Sequence, residues 1–264
     1  AWVGLIYTVD MLIRRTEGSS LVLRCGVGFF LLLFWSTTFW FFFELLNLLL
    51  ENWYYIFVSD HELVRLVGSF ASFATVLPGI FWIDHYLLQL GVSTQVRSVS
   101  LHITPSRLAV FQLLGLVLLA SSLLYPTYFF PLVWVGPILI VAPLNYRRGG
   151  DSLLRQLESG EYGPTLRILL AGLVAGLFWE FFNYWARAKW IYTVPFFDEL
   201  KLFEMPLAGF LGFPPFALEC AVFYRFLAWH RLAPSFGPFV DQKPTPTPGG
   251  LKMASVVLAT VFSL

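Results

Sequence analysis

The chain has 264 residues with 17 basic and 16 acidic side chains, a net charge of +1, and it is 58% hydrophobic with 28 phenylalanines. Only 12% of its residues are charged, about half the share of a soluble domain, so water is excluded as the solvent of most of the fold. The balanced charge points toward no acidic partner, and a nucleic-acid role is set aside.

Runs of roughly 20 apolar residues bounded by charges, Pro or Gly mark candidate membrane spans. Eight follow in chain order, at about 1–13, 26–50, 63–90, 107–125, 128–145, 165–186, 205–229 and 251–264. Backbone amides in hydrocarbon must be satisfied within their own segment, and these runs lack the period-two alternation of barrel strands. The expected class is therefore all-α: a polytopic integral membrane protein with about seven or eight transmembrane helices. The sequence opens at Ala1 without Met and ends at Leu264 inside an apolar run, so a few further residues are expected at either end. No cleavable signal peptide is read.

Orientation follows from the basic residues. Arg14, Arg15, Arg24, Arg97, Arg107, Arg147, Arg148, Arg155, Arg167, Arg231 and Lys243 fall in one set of loops, which is assigned to the cytoplasm. The opposite loops carry Asp60, Glu62, Asp198, Glu199 and Glu204, with Trp53, Tyr54, Tyr55, Trp190 and Tyr192 as an interfacial aromatic belt. The expected setting is a bacterial-type inner membrane. Residues 151–162 read as a short amphipathic helix on the cytoplasmic surface, and 234–250 as an extended Pro-rich linker.

An internal repeat is legible. Glu44, Asn47, Trp53 and Tyr55 recur in order as Glu180, Asn183, Trp190 and Tyr192. A double arginine precedes each copy, at Arg14 and at Arg147, and a Pro-broken helix follows each, around Pro78 and around Pro214 and Pro215. Both copies run from cytoplasm to outside through the Glu, which makes them parallel repeats about an axis near the membrane normal. The organisation expected is a first three-helix repeat at 1–91, a linker with one helix at 92–127, a second repeat at 128–231, and a Pro-rich linker with a C-terminal helix at 232–264.

Ionisable residues within spans cost roughly 2.5 to 3.5 kcal/mol on insertion scales, which singles out Glu44, Glu180, Glu219 and Asp84. Glu44 and Glu180 sit about 13 and 15 Å below the aromatic belt at 1.5 Å per residue, and Glu219 about 21 Å in from the outer end of its helix, a depth near that of Glu180. Asp84 lies deeper, beside His85. Asn47 and Asn183 each follow their Glu by three residues, which puts amide and carboxyl on one helix face within reach of a common group. The functional reading is that Glu180, Asn183 and Glu219 line one buried pocket, with Glu44 and Asn47 at the pseudo-equivalent place. The plainer reading is that each Glu bonds a neighbouring helix and holds the repeats together.

Cys25 and Cys220 lie at different depths of separate runs, which argues against a disulfide or metal cluster. His61, His85, His102 and His230 fall at helix ends or loops, which gives little support for haem or chlorophyll ligation. No metal or cofactor is expected. Ala171, Gly172, Ala175 and Gly176 form a small-residue face that lets another helix approach closely.

A duplicated three-helix unit with a carboxylate late in its second helix, an outer-loop Trp and a Pro-then-acid third helix resembles the membrane-embedded lycopene cyclase domain family. The resemblance is carried by Glu44 with Trp53, and by Glu180 with Trp190, Pro215 and Glu219, over roughly residues 1–90 and 130–230. The family's third helix typically has Pro, a spacer and two adjacent acids. Here Pro215 is followed by Phe216, Ala217, Leu218 and the single acid Glu219, while the first copy has Pro78 with Asp84. The resemblance implies protonation of an end-of-chain double bond in a polyene. Glu180, Glu219 and Glu44 would be the acid–base groups, and Asn183, Asn47, Trp190 and Trp53 would lie against the substrate. Expected partners are membrane lipid, an apolar isoprenoid and further membrane subunits. The alternative is a non-catalytic accessory subunit that packs against partners and binds lipid, quinone or pigment. A small-solute carrier is disfavoured, since the cytoplasmic side below Glu180 and Glu219 is nearly all Leu, Ile, Val and Phe.

Overall fold

The computed structural model describes residues 1–92, 95–149, 152–196 and 199–234. The expected last span at 251–264 lies outside these, as does the Pro-rich linker beyond Pro234.

The described chain is mostly helical. It begins with α1 (Trp2–Glu17), α2 (Leu21–Cys25) and α3 (Gly28–Leu50), then strand β1 (Trp53–Ile56), then α4 (Glu62–Phe73) and α5 (Val76–Gln89). Next come α6 (Pro105–Leu124), α7 (Pro126–Phe129), a 3-10 turn at 130–134, α8 (Gly136–Arg147) and α9 (Leu153–Ser159). The remainder is α10 (Gly163–Trp185), β2 (Lys189–Tyr192), β3 (Lys201–Leu202), β4 (Met205–Pro206), a 3-10 turn at 207–212 and α11 (Phe213–Trp229).

Among the described residues, six stretches are long and apolar enough to cross a membrane: Gly28–Leu50, Glu62–Gln89, Pro105–Leu124, Pro126–Arg147, Gly163–Trp185 and Leu207–Trp229. The chain is an integral membrane protein by that measure. Leu48, Val110, Leu113 and Leu211 stand outward on three of these stretches, an arrangement that suits lipid and would be an aggregation patch in water. The apolar run at 1–13 forms the 16-residue α1, which packs along α5.

Proline placement explains two breaks. Residues 62–89 bend at Ala74 and Thr75, so Pro78 falls in the first turn of α5, where its missing N–H is not needed. Pro214 and Pro215 sit likewise at the start of α11, directly after the 3-10 turn.

Close approach sets the helix packing. The small-residue face of α10 receives α11: a Cβ on Gly172 would lie 2.5 Å from the Ala217 Cβ and from the Phe213 carbonyl. α6 meets α8 at Gly115 and Gly136, where a Cβ on Gly115 would stand 2.7 Å from the Gly136 oxygen. After α11 the chain folds back on the first helices, with Trp35 Nε1 donating to the Leu232 carbonyl at 2.7 Å.

At the end of the molecule where α3 and α10 finish, β1 and β2 pair antiparallel as a two-stranded ribbon. The two aromatic runs expected as an interfacial belt are therefore hydrogen-bonded to each other as strands. Their partner lies on the far side of the sequence, so no local pattern announces the pairing. At the opposite end α9, capped by Ser152, packs against residues 96–101, with Ser98 N donating to Gly160 O at 3.0 Å and Leu101 N to Leu157 O at 2.8 Å. The loops assigned to two sides by their charges thus collect at two ends of the helices.

Arg167 needs correction. It is not a loop cation but is buried on α10, where its Nε donates to Asp84 Oδ1 of α5 at 3.0 Å. An unpaired guanidinium at that depth is expensive, and the carboxylate is what makes its burial tolerable. Sequence reasoning also missed Asp10, an acid within the first apolar run. Buried on α1, it accepts from Leu21 N at 2.8 Å, from the Ser20 hydroxyl and from Trp82 Nε1 at 2.9 Å, which locks α1 to α2 and α5.

Candidate functional site

The ribbon roofs a chamber of about 620 Å³, a size within the range of small-molecule sites. Its wall is aromatic, with Trp2, Trp40, Trp53, Trp134, Trp179 and Trp190 joined by Phe213 and Phe216. The rings brace one another: Trp40 meets Phe216 edge-on at 5.7 Å, Trp134 meets Phe216 at 5.5 Å, and Trp179 meets Phe213 at 6.0 Å.

Glu44 and Glu180 stand one layer behind this wall, and each holds the strand that follows it. Glu44 Oε1 accepts from Trp53 Nε1 at 3.1 Å, from the Tyr55 hydroxyl at 2.5 Å and from Trp40 Nε1 at 2.8 Å. Glu180 Oε1 accepts from the Tyr192 hydroxyl at 2.7 Å, and that hydroxyl accepts from Trp190 Nε1 at 2.8 Å. Glu180 is wholly buried, and its Oε2 has no hydrogen-bond partner among the described residues. Where Trp40 stands four residues before Glu44, Gly176 stands four before Glu180, and the Phe213 ring fills the space: a Cβ there would lie 2.2 Å from it. Glu180 therefore has no counterpart of the Trp40 donor to Glu44.

Asn47 and Asn183 complete the two sets. Asn47 Nδ2 donates to the Trp53 carbonyl at 2.8 Å and its Oδ1 accepts from Asn52 N at 2.9 Å. Asn183 Nδ2 donates to the Trp190 carbonyl at 2.9 Å and its Oδ1 accepts from Trp190 N at 3.0 Å. Amide and carboxyl do reach a common group, as the three-residue spacing predicts, but the group is the ribbon Trp. Asn183 lines the chamber and Asn47 does not, and the amide atoms of both are engaged by backbone of the ribbon and its approach.

The phenols have a definite protonation state. Burial first, and then the charge of Glu180, push the Tyr192 hydroxyl well above the ordinary tyrosine range. Burial and Glu44 raise Tyr55 in the same way. Both are neutral donors, and both line the chamber, so they connect it to the carboxyls behind.

Glu219 does not join this site. Ala217 of α11 abuts Gly172, about 12 Å below Glu180 along α10. Glu219 lies about 200° further round α11 from Ala217, and so points away from α10. The expected convergence of Glu180, Asn183 and Glu219 is thus overturned. Two causes act: the 3-10 turn before α11 carries the chain deeper per residue than an α-helix, and sequence does not give the rotation of α11. Glu219 is buried, with neither oxygen hydrogen-bonded among the described residues. Asp84 is engaged with Arg167, away from the chamber.

Among the described residues no group of three or more His, Cys, Asp or Glu has the arrangement to hold a metal ion. Comparison with protein-family models, curated proteins and solved structures finds no match.

Proposed function

We propose that the protein draws a long apolar isoprenoid from the bilayer into the chamber and performs acid–base chemistry on it. The observation that carries this reading is the pair of matched Glu–Tyr–Trp sets behind one aromatic wall. Tyr192 gives its proton to the terminal carbon of a double bond, and Glu180, entering the cycle as the neutral acid, returns a proton to the phenol across their Oε1–hydroxyl contact and becomes the carboxylate. The cation that forms lies among tryptophan and phenylalanine faces, which stabilise it. After ring closure Tyr55 takes a proton from the carbon next to the cation and passes its own to Glu44. The product is an isomer of the substrate, and a proton moving from Glu44 back to Glu180 through solvent restores the starting state.

We place the two sets in two copies of a three-helix unit, at 1–91 and 128–231 with 92–127 between them, running in parallel through a bacterial-type inner membrane. The matched hydrogen bonds of Asn47 and Asn183, and the paired Pro-initiated helices α5 and α11, support the duplication.

A second reading is a non-catalytic subunit that holds an apolar molecule for a larger assembly. It is favoured by one observation: both carboxyls are engaged by the ribbon and neither lines the chamber itself. The decisive experiment incubates the full chain in nanodiscs with acyclic polyenes and follows isomers of unchanged mass. Glu180→Gln and Glu44→Gln keep shape and remove the acid, so turnover should fall by about 100-fold or more with the fold retained. Wild-type protein that isomerises no polyene, with both variants folded, would establish the subunit reading instead.

A further inference from the structure

A polar strip of the chamber lining comes from α4. The outward face of that helix is Leu63, Leu66, Val67 and Phe70, each exposed. The face about 150° away, with Arg65, Ser69 and Ser72, lines the chamber. Arg65 and Ser72 are exposed as well and Ser69 is half-buried, so these polar side chains stand open to the chamber rather than packed within its wall.

Arg65 is the informative member. Its guanidinium reaches only the Ser59 carbonyl, at 3.4 Å, and among the described residues no carboxylate lies within ion-pair distance of it. The other lysine or arginine on the lining, Lys189, is ion-paired with Glu204. Arg65 sits in the first turn of α4, near the ribbon end. Phe73, about 12 Å further along the helix, meets Trp40 at 6.0 Å. Along α4 the lining thus runs from the Arg65 guanidinium near the ribbon, past the Ser69 hydroxyl, to Ser72 and Phe73 farther in.

We infer that the chamber takes a single-chain amphiphile, with an oxyanion head at Arg65 beside Ser69 and Ser72 and an apolar tail on the tryptophans. A guanidinium offers paired N–H donors to phosphate or carboxylate oxygens, and no carboxylate among the described residues occupies this one. That the tail is an isoprenoid rests on the function proposed above; the head group rests on α4 alone.

The test titrates the full chain in nanodiscs with farnesyl phosphate, farnesoic acid and farnesol, followed by tryptophan fluorescence. The two acids should bind about tenfold tighter than the alcohol, the size of one charge-assisted hydrogen-bonded contact. Arg65→Gln should erase that margin while leaving farnesol binding unchanged, and Arg65→Lys should retain part of it. Inorganic phosphate at matched concentration should not displace farnesyl phosphate; displacement would mark a site for free phosphate and overturn the amphiphile. Equal binding of acids and alcohol by the wild type, loss of farnesol binding in Arg65→Gln, or no binding of any probe would each overturn the inference as well. Head-group discrimination without isomerisation would leave this inference standing and remove the acid–base reading. Isomerisation of a polyene together with equal binding of the acids and the alcohol would do the reverse.

Discussion

Trp53 lies opposite Tyr192 across the β1–β2 ribbon, and Tyr55 lies opposite Trp190, so the pairing maps onto itself when the two strands are exchanged. Each strand is held at its Trp by the Asn one turn below, and that gives the first prediction. Asn47→Ala and Asn183→Ala each remove two hydrogen bonds to backbone, and each should cost about 1–3 kcal/mol in detergent thermal unfolding. Asn183 is the more buried and should cost more. Because both act on one ribbon, the double variant should lose less than the combined effect of the two single changes. Full additivity would show that the strands are held independently.

The Asp84–Arg167 pair should behave as a buried ion pair. Asp84→Asn or Arg167→Gln alone should destabilise by about 3–5 kcal/mol, seen as a lowered melting temperature or lost folded yield. Asp84→Leu with Arg167→Met should recover much of that, since the two-sided change leaves no orphan charge. Single variants that melt like the wild type would place Arg167 back in an exposed loop.

Gly172→Val should separate α10 from α11. The added side chain collides with the Ala217 Cβ and the Phe213 carbonyl, and one of these is backbone, which cannot give way locally. A loss of about 1–3 kcal/mol is expected, with the chamber wall at Phe213 displaced. Tryptophan emission of the variant should change accordingly, because Trp179 packs on Phe213. Unchanged emission and stability would contradict this packing.

Sidedness is checked with single cysteines placed at Asp60 and Ser159 after Cys25 and Cys220 are replaced. Asp60 follows the ribbon strand β1 and Ser159 ends α9, at opposite ends of the helices. An impermeant thiol reagent should modify position 60 from outside and position 159 only from the cytoplasm. Modification of both from one face would overturn the orientation taken from the arginines.

Hydropathy located the six long stretches because it reports composition along a chain, which is what a bilayer selects. The predicted starts at 26, 165 and 205 fall within two residues of those at Gly28, Gly163 and Leu207. The recurrence of Glu, Asn, Trp and Tyr also led to the residues that hold the ribbon. What stayed hidden depends on neighbours. Arg167 reads as a loop cation until Asp84 faces it, Asp10 reads as a stray acid until Trp82 does, and Glu219 reads as a partner of Glu180 until the rotation of α11 is known. Arg65 was passed over because it lies near a span's end, where a cation is ordinary.

The ribbon has a consequence for biogenesis. Its two strands are separated in the chain by everything from α4 to α10, and each contributes two chamber-lining aromatics, Trp53 with Tyr55 and Trp190 with Tyr192. While the polypeptide is being threaded into the bilayer, β1 and its row of open amides must wait for β2 to emerge from the ribosome. A chain arrested before Lys189 would hold α3 in place with the roof half built. The roof of the chamber is therefore completed in one late closure rather than helix by helix.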